Sequence, residues 1–292
     1  MSETRIAVIG AGTMGSQIAQ QIALHAHSVS LYDENPAQLA RALNSNRGYL
    51  ERRVEKGSLT PLQFDAAISR VEPFADLTAA VTGASLVIEA IVEDLGSKQA
   101  LFQQLDALTG SEVLLGTNTS SMTVSQIASV IPSRDRVIAL HFFNPVLLMQ
   151  LVEIAPAPFT RPEIVQRAVA FVEAIDRTPV VLDREIEGLL ANRVIAAVRR
   201  EAFWLVDEGY ATPEAIDQAV KLGLRHPMGP FELADFNGLD VVLAIQQRRY
   251  ERTGDPRDRP PKKLEQLVAE GNLGRKTGSG FYPYDEPKER LR

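Results

Sequence analysis

Arg5-Ile6-Ala7-Val8-Ile9-Gly10-Ala11-Gly12-Thr13-Met14-Gly15 runs an apolar, β-rich segment into a glycine-rich turn, and Ile18 and Ile22 continue it with helical spacing. Strand, G-x-G-x-x-G, helix is the order that cradles a dinucleotide pyrophosphate. Gly10 permits the tight turn, Gly12 lets phosphates approach the backbone, and Gly15 lets helix and strand pack closely. Thr13 and Met14 open the helix whose N–H groups face the anion. Asp33 closes the next predicted strand, at the spacing where a carboxylate accepts from the adenosine ribose hydroxyls. A carboxylate repels a 2′-phosphate, so the pattern favours NAD over NADP. The alternative is a glycine-rich turn of another α/β fold, with Asp33 a surface acid.

Outward from this turn, strands are expected at Arg5 to Ile9, Ser28 to Tyr32, Leu86 to Ala90, Val113 to Gly116 and Val137 to Leu140. Helices alternate with them at Gly12 to Leu24, Pro36 to Glu55 and Leu95 to Leu108, the sign of βαβ units and a parallel sheet. Two further strands, Leu151 to Ile154 and Thr178 to Leu182, flank a helix from Pro162 to about Ile175. After Asp183 no β-rich run recurs, and Ile195, Val198, Ala202, Leu205 and Val206 stripe one helix face. Thr212-Pro213-Glu214 opens a second helix. Pro230 to Tyr250 reads as a long helix interrupted at Asn237-Gly238, Thr253 to Pro261 as a loop, and the tail after Tyr284 as frayed. The fold expected is α/β: a Rossmann-type doubly wound sheet over residues 1–185, followed by an all-α C-terminal domain over 186–292.

The 292 residues fit about two domains at roughly 150 residues each. With 31 Lys plus Arg against 37 Asp plus Glu, the net charge of -6 gives no basic footprint for nucleic acid. There is no Cys, which excludes disulfides, thiolate metal sites and thiol catalysis. No stretch of apolar residues is long enough to span a membrane, and the N-terminus lacks a secretory apolar core, so a cytoplasmic protein is expected. His25, His27 and His226 have no helical metal-ligand spacing, and no metal is expected.

His141-Phe142-Phe143-Asn144-Pro145 ends a predicted strand and precedes Leu151-Val152-Glu153-Ile154. A reverse turn at Asn144-Pro145 would bring Glu153 opposite His141. A carboxylate on one imidazole nitrogen fixes the tautomer and stabilises the protonated ring, which suits a general base. The bland reading, a strand-end histidine and a surface acid, stays equally open on spacing alone.

These residues belong to a longer series: GAGTMG, EAIVEDLGSK, NTSS, HFFNP with LVEI, Asn192-Arg193 after a glycine, HPMGPFEL, GLD and GRKTGSGFY. The series resembles the L-3-hydroxyacyl-CoA dehydrogenases, including bacterial 3-hydroxybutyryl-CoA dehydrogenases, over essentially the whole chain. The resemblance implies oxidation of the 3-hydroxyl of an acyl-CoA to a ketone with hydride passing to NAD, as in β-oxidation of fatty acids. It implies His141 as the base, Glu153 as its orienting partner, Ser120 as a donor to the substrate oxygen and Asn192 as a contact to the substrate carbonyl region. It also implies Glu93, Lys98, Ser120, Asn144 and Lys276 around the cofactor, Lys56 near the CoA phosphates, and a homodimer formed through the C-terminal helices. Read without it, Ser120 is equally a turn or cap residue, Asn192 a polar helix residue, and Glu93 and Lys98 a solvated helix face. The competing functions are a dehydrogenase of a non-CoA 3-hydroxy compound, such as carnitine or a sugar acid, and a non-catalytic NAD-binding protein.

Two stretches depart from the family pattern. Glu187-Gly188-Leu189 stands where Pro-Gly-Phe is usual, and Leu147 where Pro often follows HFFNP. Both bear on which acyl group is taken more than on the reaction.

Overall fold

A computed structural model describes residues 5–284, and the tail expected to fray lies outside them. The chain divides into two compact units between Leu190 and Ala191.

The first unit runs β1 (Arg5–Ile9), α1 (Thr13–Leu24), β2 (Ser28–Tyr32), α2 (Pro36–Glu55), α3 (Pro61–Ser69), β3 (Val71–Phe74) and α4 (Leu77–Val81). It continues with β4 (Leu86–Glu89), α5 (Leu95–Leu108), β5 (Leu114–Thr117), α6 (Val124–Ile127), β6 (Val137–Phe142), β7 (Leu151–Pro156), α7 (Pro162–Ala174) and β8 (Thr178–Val181). The sheet order is β3-β2-β1-β4-β5-β6-β7-β8, parallel except where β7 pairs antiparallel with β6. The chain leaves β1 first toward β2 and later toward β4, so the crevice at the carboxyl ends of β1 and β4 is the topological switch point where such sheets bind ligands.

Burial on both faces explains why β1 is apolar from Ile6 to Ile9. Ile6 and Val8 pack with Ile18 and Ile22 of α1, whereas Ala7 and Ile9 pack with Phe102 and Leu105 of α5. The sequence pattern missed β3, whose Val-Glu-Pro-Phe lacks alternation. It is an edge strand, a place where a proline's missing N–H can face solvent and cost no ladder bond. Short α3, α4 and α6 were also missed, although each opens on a capping Thr or Asp: Thr60, Asp76 and Thr123.

The second unit contains α8 (Ala191–Asp207), α9 (Pro213–Leu224), α10 (Pro230–Asn237), α11 (Leu239–Thr253) and α12 (Lys262–Ala269). The expected interruption is a break: Gly238, at φ +96°, separates α10 from α11. Ala202, Leu205 and Val206 of the predicted stripe join the core around Phe203 and Phe231, but Ile195 and Val198 are half-buried outside that cluster. The expected loop after Thr253 contains one short 3₁₀ turn, Pro256–Asp258, whose buried Asp258 pairs with Arg249 at 2.8 Å.

Two buried carboxylates account for the HPMGPFEL and GSGFY segments. Asp217 accepts from the N–H groups of Phe231 and Glu232 at 2.9 Å, capping the start of α10, and from the Tyr282 hydroxyl at 2.8 Å. Asp235 accepts from the N–H groups of Phe281 and Tyr282 and from the Tyr284 hydroxyl, all at 3.0 Å. Burial pushes the Asp235 carboxyl above the usual carboxylate range despite these donors. Among the described residues, no helix is long and apolar enough to cross a membrane.

Candidate functional site

The nucleotide loop has the geometry that its glycines predict. Gly10 adopts φ +102°, with Ala90 so close that a Cβ would lie 2.6 Å from its carbonyl oxygen. At Gly15 a Cβ would lie 1.8 Å from the Gly10 oxygen, so any side chain there would push α1 off the turn. At Gly12, the N-cap of α1, a Cβ would meet nothing within 4 Å, which leaves the space a pyrophosphate needs. Asp33 follows β2 and accepts from the Ala11 N–H at 2.9 Å through Oδ2 and from the Asn35 N–H at 2.9 Å through Oδ1. Each carboxylate oxygen has a second lone pair, so the side chain that holds the loop can still accept from a ribose. The turn, its open face and the carboxylate together fit NAD.

At the carboxyl ends of β4 and β5 lies a charged cluster that the sequence only half disclosed. Lys98 of α5 is not on a solvated face: it is 1% exposed and donates to Glu89 at 2.6 Å and Glu93 at 3.1 Å. A lysine is buried only with such partners, and Glu89, itself fully buried, also accepts from the Thr117 hydroxyl at 2.6 Å and the Ile91 N–H at 2.8 Å. Glu93 lies before the helix, whose N-cap is Asp94, and accepts from the hydroxyls of Thr119 and Ser121. Burial alone pushes its carboxyl up, yet those hydroxyls and the Lys98 ammonium bring it below the usual range, so Glu93 stays ionised. A glutamate closing the apolar run Leu-Val-Ile was the available signal for Glu89.

The antiparallel register of β6 and β7 sets His141 directly opposite Glu153. His141 Nδ1 lies 3.0 Å from Glu153 Oε2, and both residues are buried, the carboxylate almost completely. Nδ1–H therefore donates to the carboxylate, which leaves Nε2 as the basic nitrogen. Phe143 sits edge-on to the imidazole at 4.5 Å between centroids. The connection between the strands carries a cis Asn144-Pro145 peptide and is tied to α1, because Gln17 accepts from the Val146 N–H at 2.9 Å. Gln17 was not singled out from sequence.

Ser120 follows β5, and its neighbour Asn118 accepts from the Phe142 N–H at 2.9 Å, fastening this loop to the His141 strand. Asn144 is exposed, its Oδ1 3.5 Å from Gln17 Nε2. Lys56 is the exposed C-cap of α2, with Arg52 and Arg53 in the turn before it. Asn192 and Lys276 belong to the second unit: Asn192 is half-buried in the first turn of α8, and Lys276 is ion-paired with Asp240.

Residues 5–186 match the sequence profile of the 3-hydroxyacyl-CoA dehydrogenase NAD binding domain, and residues 188–284 that of the 3-hydroxyacyl-CoA dehydrogenase C-terminal domain. The chain is 40% identical over 286 residues to the probable 3-hydroxybutyryl-CoA dehydrogenase of Bacillus subtilis, spanning 98% of this chain and 99% of that one. It is 36% identical over 285 residues to the mitochondrial hydroxyacyl-coenzyme A dehydrogenase of Homo sapiens, spanning 96% and 90% respectively. Among solved structures, (S)-3-hydroxybutyryl-CoA dehydrogenase PaaH1 of Ralstonia eutropha superposes with a TM-score of 0.88 at 34% identity, covering 98% of this chain and all of that one. The 3-hydroxybutyryl-CoA dehydrogenase of Escherichia coli K12 gives 0.90 at 37% identity, over 99% of this chain and 61% of that one.

Proposed function

The chain belongs to the 3-hydroxyacyl-CoA dehydrogenase family, and we propose that it interconverts an L-3-hydroxyacyl-CoA and its 3-ketoacyl-CoA with His141 as the proton-transferring group. The observation that carries this reading is the 3.0 Å hydrogen bond between His141 and Glu153 in a unit whose β1–α1 turn fits NAD. NAD, when bound, supplies the hydride acceptor. In oxidation the C3–H bond breaks with its electron pair leaving as hydride, the hydroxyl proton passes to His141 Nε2, and the C3–O bond becomes a carbonyl. Glu153 holds the ring in the receptive tautomer and balances the charge that the ring gains. Ser120 donates to the substrate oxygen and Asn192 to the carbonyl region, where fixed donors stabilise developing negative charge. Glu93, Lys98, Asn144 and Lys276 serve the cofactor in this proposal, and Lys56 the CoA phosphates. The test is stereochemical: NAD with (S)-3-hydroxybutyryl-CoA is expected to yield NADH, and the R isomer is not. Equal turnover of the two isomers would contradict a single bound orientation of C3 beside His141.

Asp33→Ala is expected to raise the Kd for NADH by about tenfold or more, since it removes both a ribose acceptor and the anchor of the Ala11 N–H. Fluorescence titration checks this, and unchanged affinity would sink the assignment.

The proposal includes a homodimer through the helical unit. Its support is the exposed pair Val241 and Ile245, one turn apart on α11, with Leu222 and Leu224 at the end of α9. Light scattering is expected to give twice the chain mass, and a monomer mass at working concentration would refute it. A cytoplasmic location is proposed on the strength of the bacterial relative's likeness, and cell fractionation checks it.

A further inference from the structure

The segment that closes the first unit does more than connect. Gly188 and Leu189 both take left-handed backbone conformations, at φ +82° and φ +49°. That region suits glycine but costs a leucine about 1–2 kcal/mol. Such strain persists where the surroundings over-determine the conformation, and three contacts do so here. The Leu189 side chain is buried in the core layer formed with Phe102 and Leu182. The Gly188 N–H donates to the Ser120 carbonyl at 2.7 Å. The Leu190 N–H donates to Glu153 Oε1 at 3.0 Å, on the carboxylate whose other oxygen holds His141.

We infer that Gly188–Leu190 is a backbone clamp that positions the proton-transfer pair, with the Leu190 N–H aiming Glu153 at His141 and the Gly188 N–H fixing the Ser120 loop. The inference rests on the His141–Glu153 reading of the reaction. A buried carboxylate free to rotate would present Oε2 to the imidazole only part of the time; a donor on Oε1 fixes its plane. A hydrogen bond donated to a carboxylate favours its charged form. From β6 the titratable group facing Glu153 is His141, and its register neighbour on β8 is Val180, which does not titrate. Leu189, where the family pattern has a ring, pins the clamp through its buried apolar side chain.

The decisive variant replaces Leu190 by its α-hydroxy acid, which turns the N–H into an ester oxygen and keeps the side chain. The expected result is a kcat lowered on the order of tenfold, the worth of a hydrogen bond to a charged group. The acid limb of kcat/KM for hydroxyacyl-CoA oxidation should move up by about half a pH unit, as the pair takes its proton more readily. The Kd for NADH is expected to stay within about twofold of wild type. The His141 ring titration, followed by NMR without substrate and assigned against His141→Gln, should rise by a similar amount. A fall in kcat with both pH readouts unmoved would show a merely structural role and overturn the inference. If the ester chain does not fold, Leu189→Ala, which keeps the N–H but removes its anchor, should move both readouts in the same direction; no movement overturns the inference. A wild type inactive on acyl-CoA would overturn the function reading alone, with the NMR titration still deciding the clamp.

Discussion

His141→Gln lowers kcat by about 10²–10⁴, the usual contribution of a positioned general base, while NADH affinity stays within about twofold of wild type. Glutamine approximates the width of the imidazole and can still meet the Glu153 carboxylate, but it has no nitrogen that accepts a proton near neutral pH. The dinucleotide loop is built from β1, α1 and Asp33, none of which the substitution touches. The result therefore separates chemistry from binding. Stopped-flow turnover beside fluorescence titration measures both, and wild-type-like turnover would remove His141 from the mechanism.

Lys98→Met is expected to destabilise the protein by about 3–5 kcal/mol, the cost of leaving a buried charge without its partner. Glu89 would keep the Thr117 hydroxyl and the Ile91 N–H, both neutral donors, around a carboxylate with no exposure to water. Glu93 would lose the ammonium 3.1 Å away but remain partly solvated, so the penalty falls chiefly on Glu89. The double variant Lys98→Met, Glu89→Gln should recover much of the loss, since removing both charges removes the mismatch. Denaturant unfolding checks both. A loss under about 1 kcal/mol for the single variant would mean that water reaches Glu89 and that the cluster is not closed.

The parts of the fold that were legible are those where one physical pattern acts alone. β1, β2, α2 and α5 keep the bounds expected from apolar runs, caps and prolines, because both faces of the central strands are buried and each helix has one wet side. β3 was not legible, since an edge strand of four residues with a proline carries no periodicity. At the site, the histidine and its glutamate were readable as a pair because a short return loop forces them into register. Their support was not. Glu89 meets Lys98 through the packing of α5 on β4, and Glu153 meets the Leu190 N–H through a contact 37 residues distant. Backbone donors carry no sequence signature. Spacing likewise misassigned Lys98 to solvent, because the helix face it occupies turns inward over β4.

The reaction itself is tested most directly by NADH oxidation with acetoacetyl-CoA, run beside NADPH and beside free acetoacetate. The account predicts turnover that requires both NADH and the CoA thioester, because a carboxylate at the ribose position proposed for Asp33 would repel a 2′-phosphate and the chain belongs to the 3-hydroxyacyl-CoA dehydrogenase family. Equal rates with free acetoacetate, or a preference for NADPH, would contradict it.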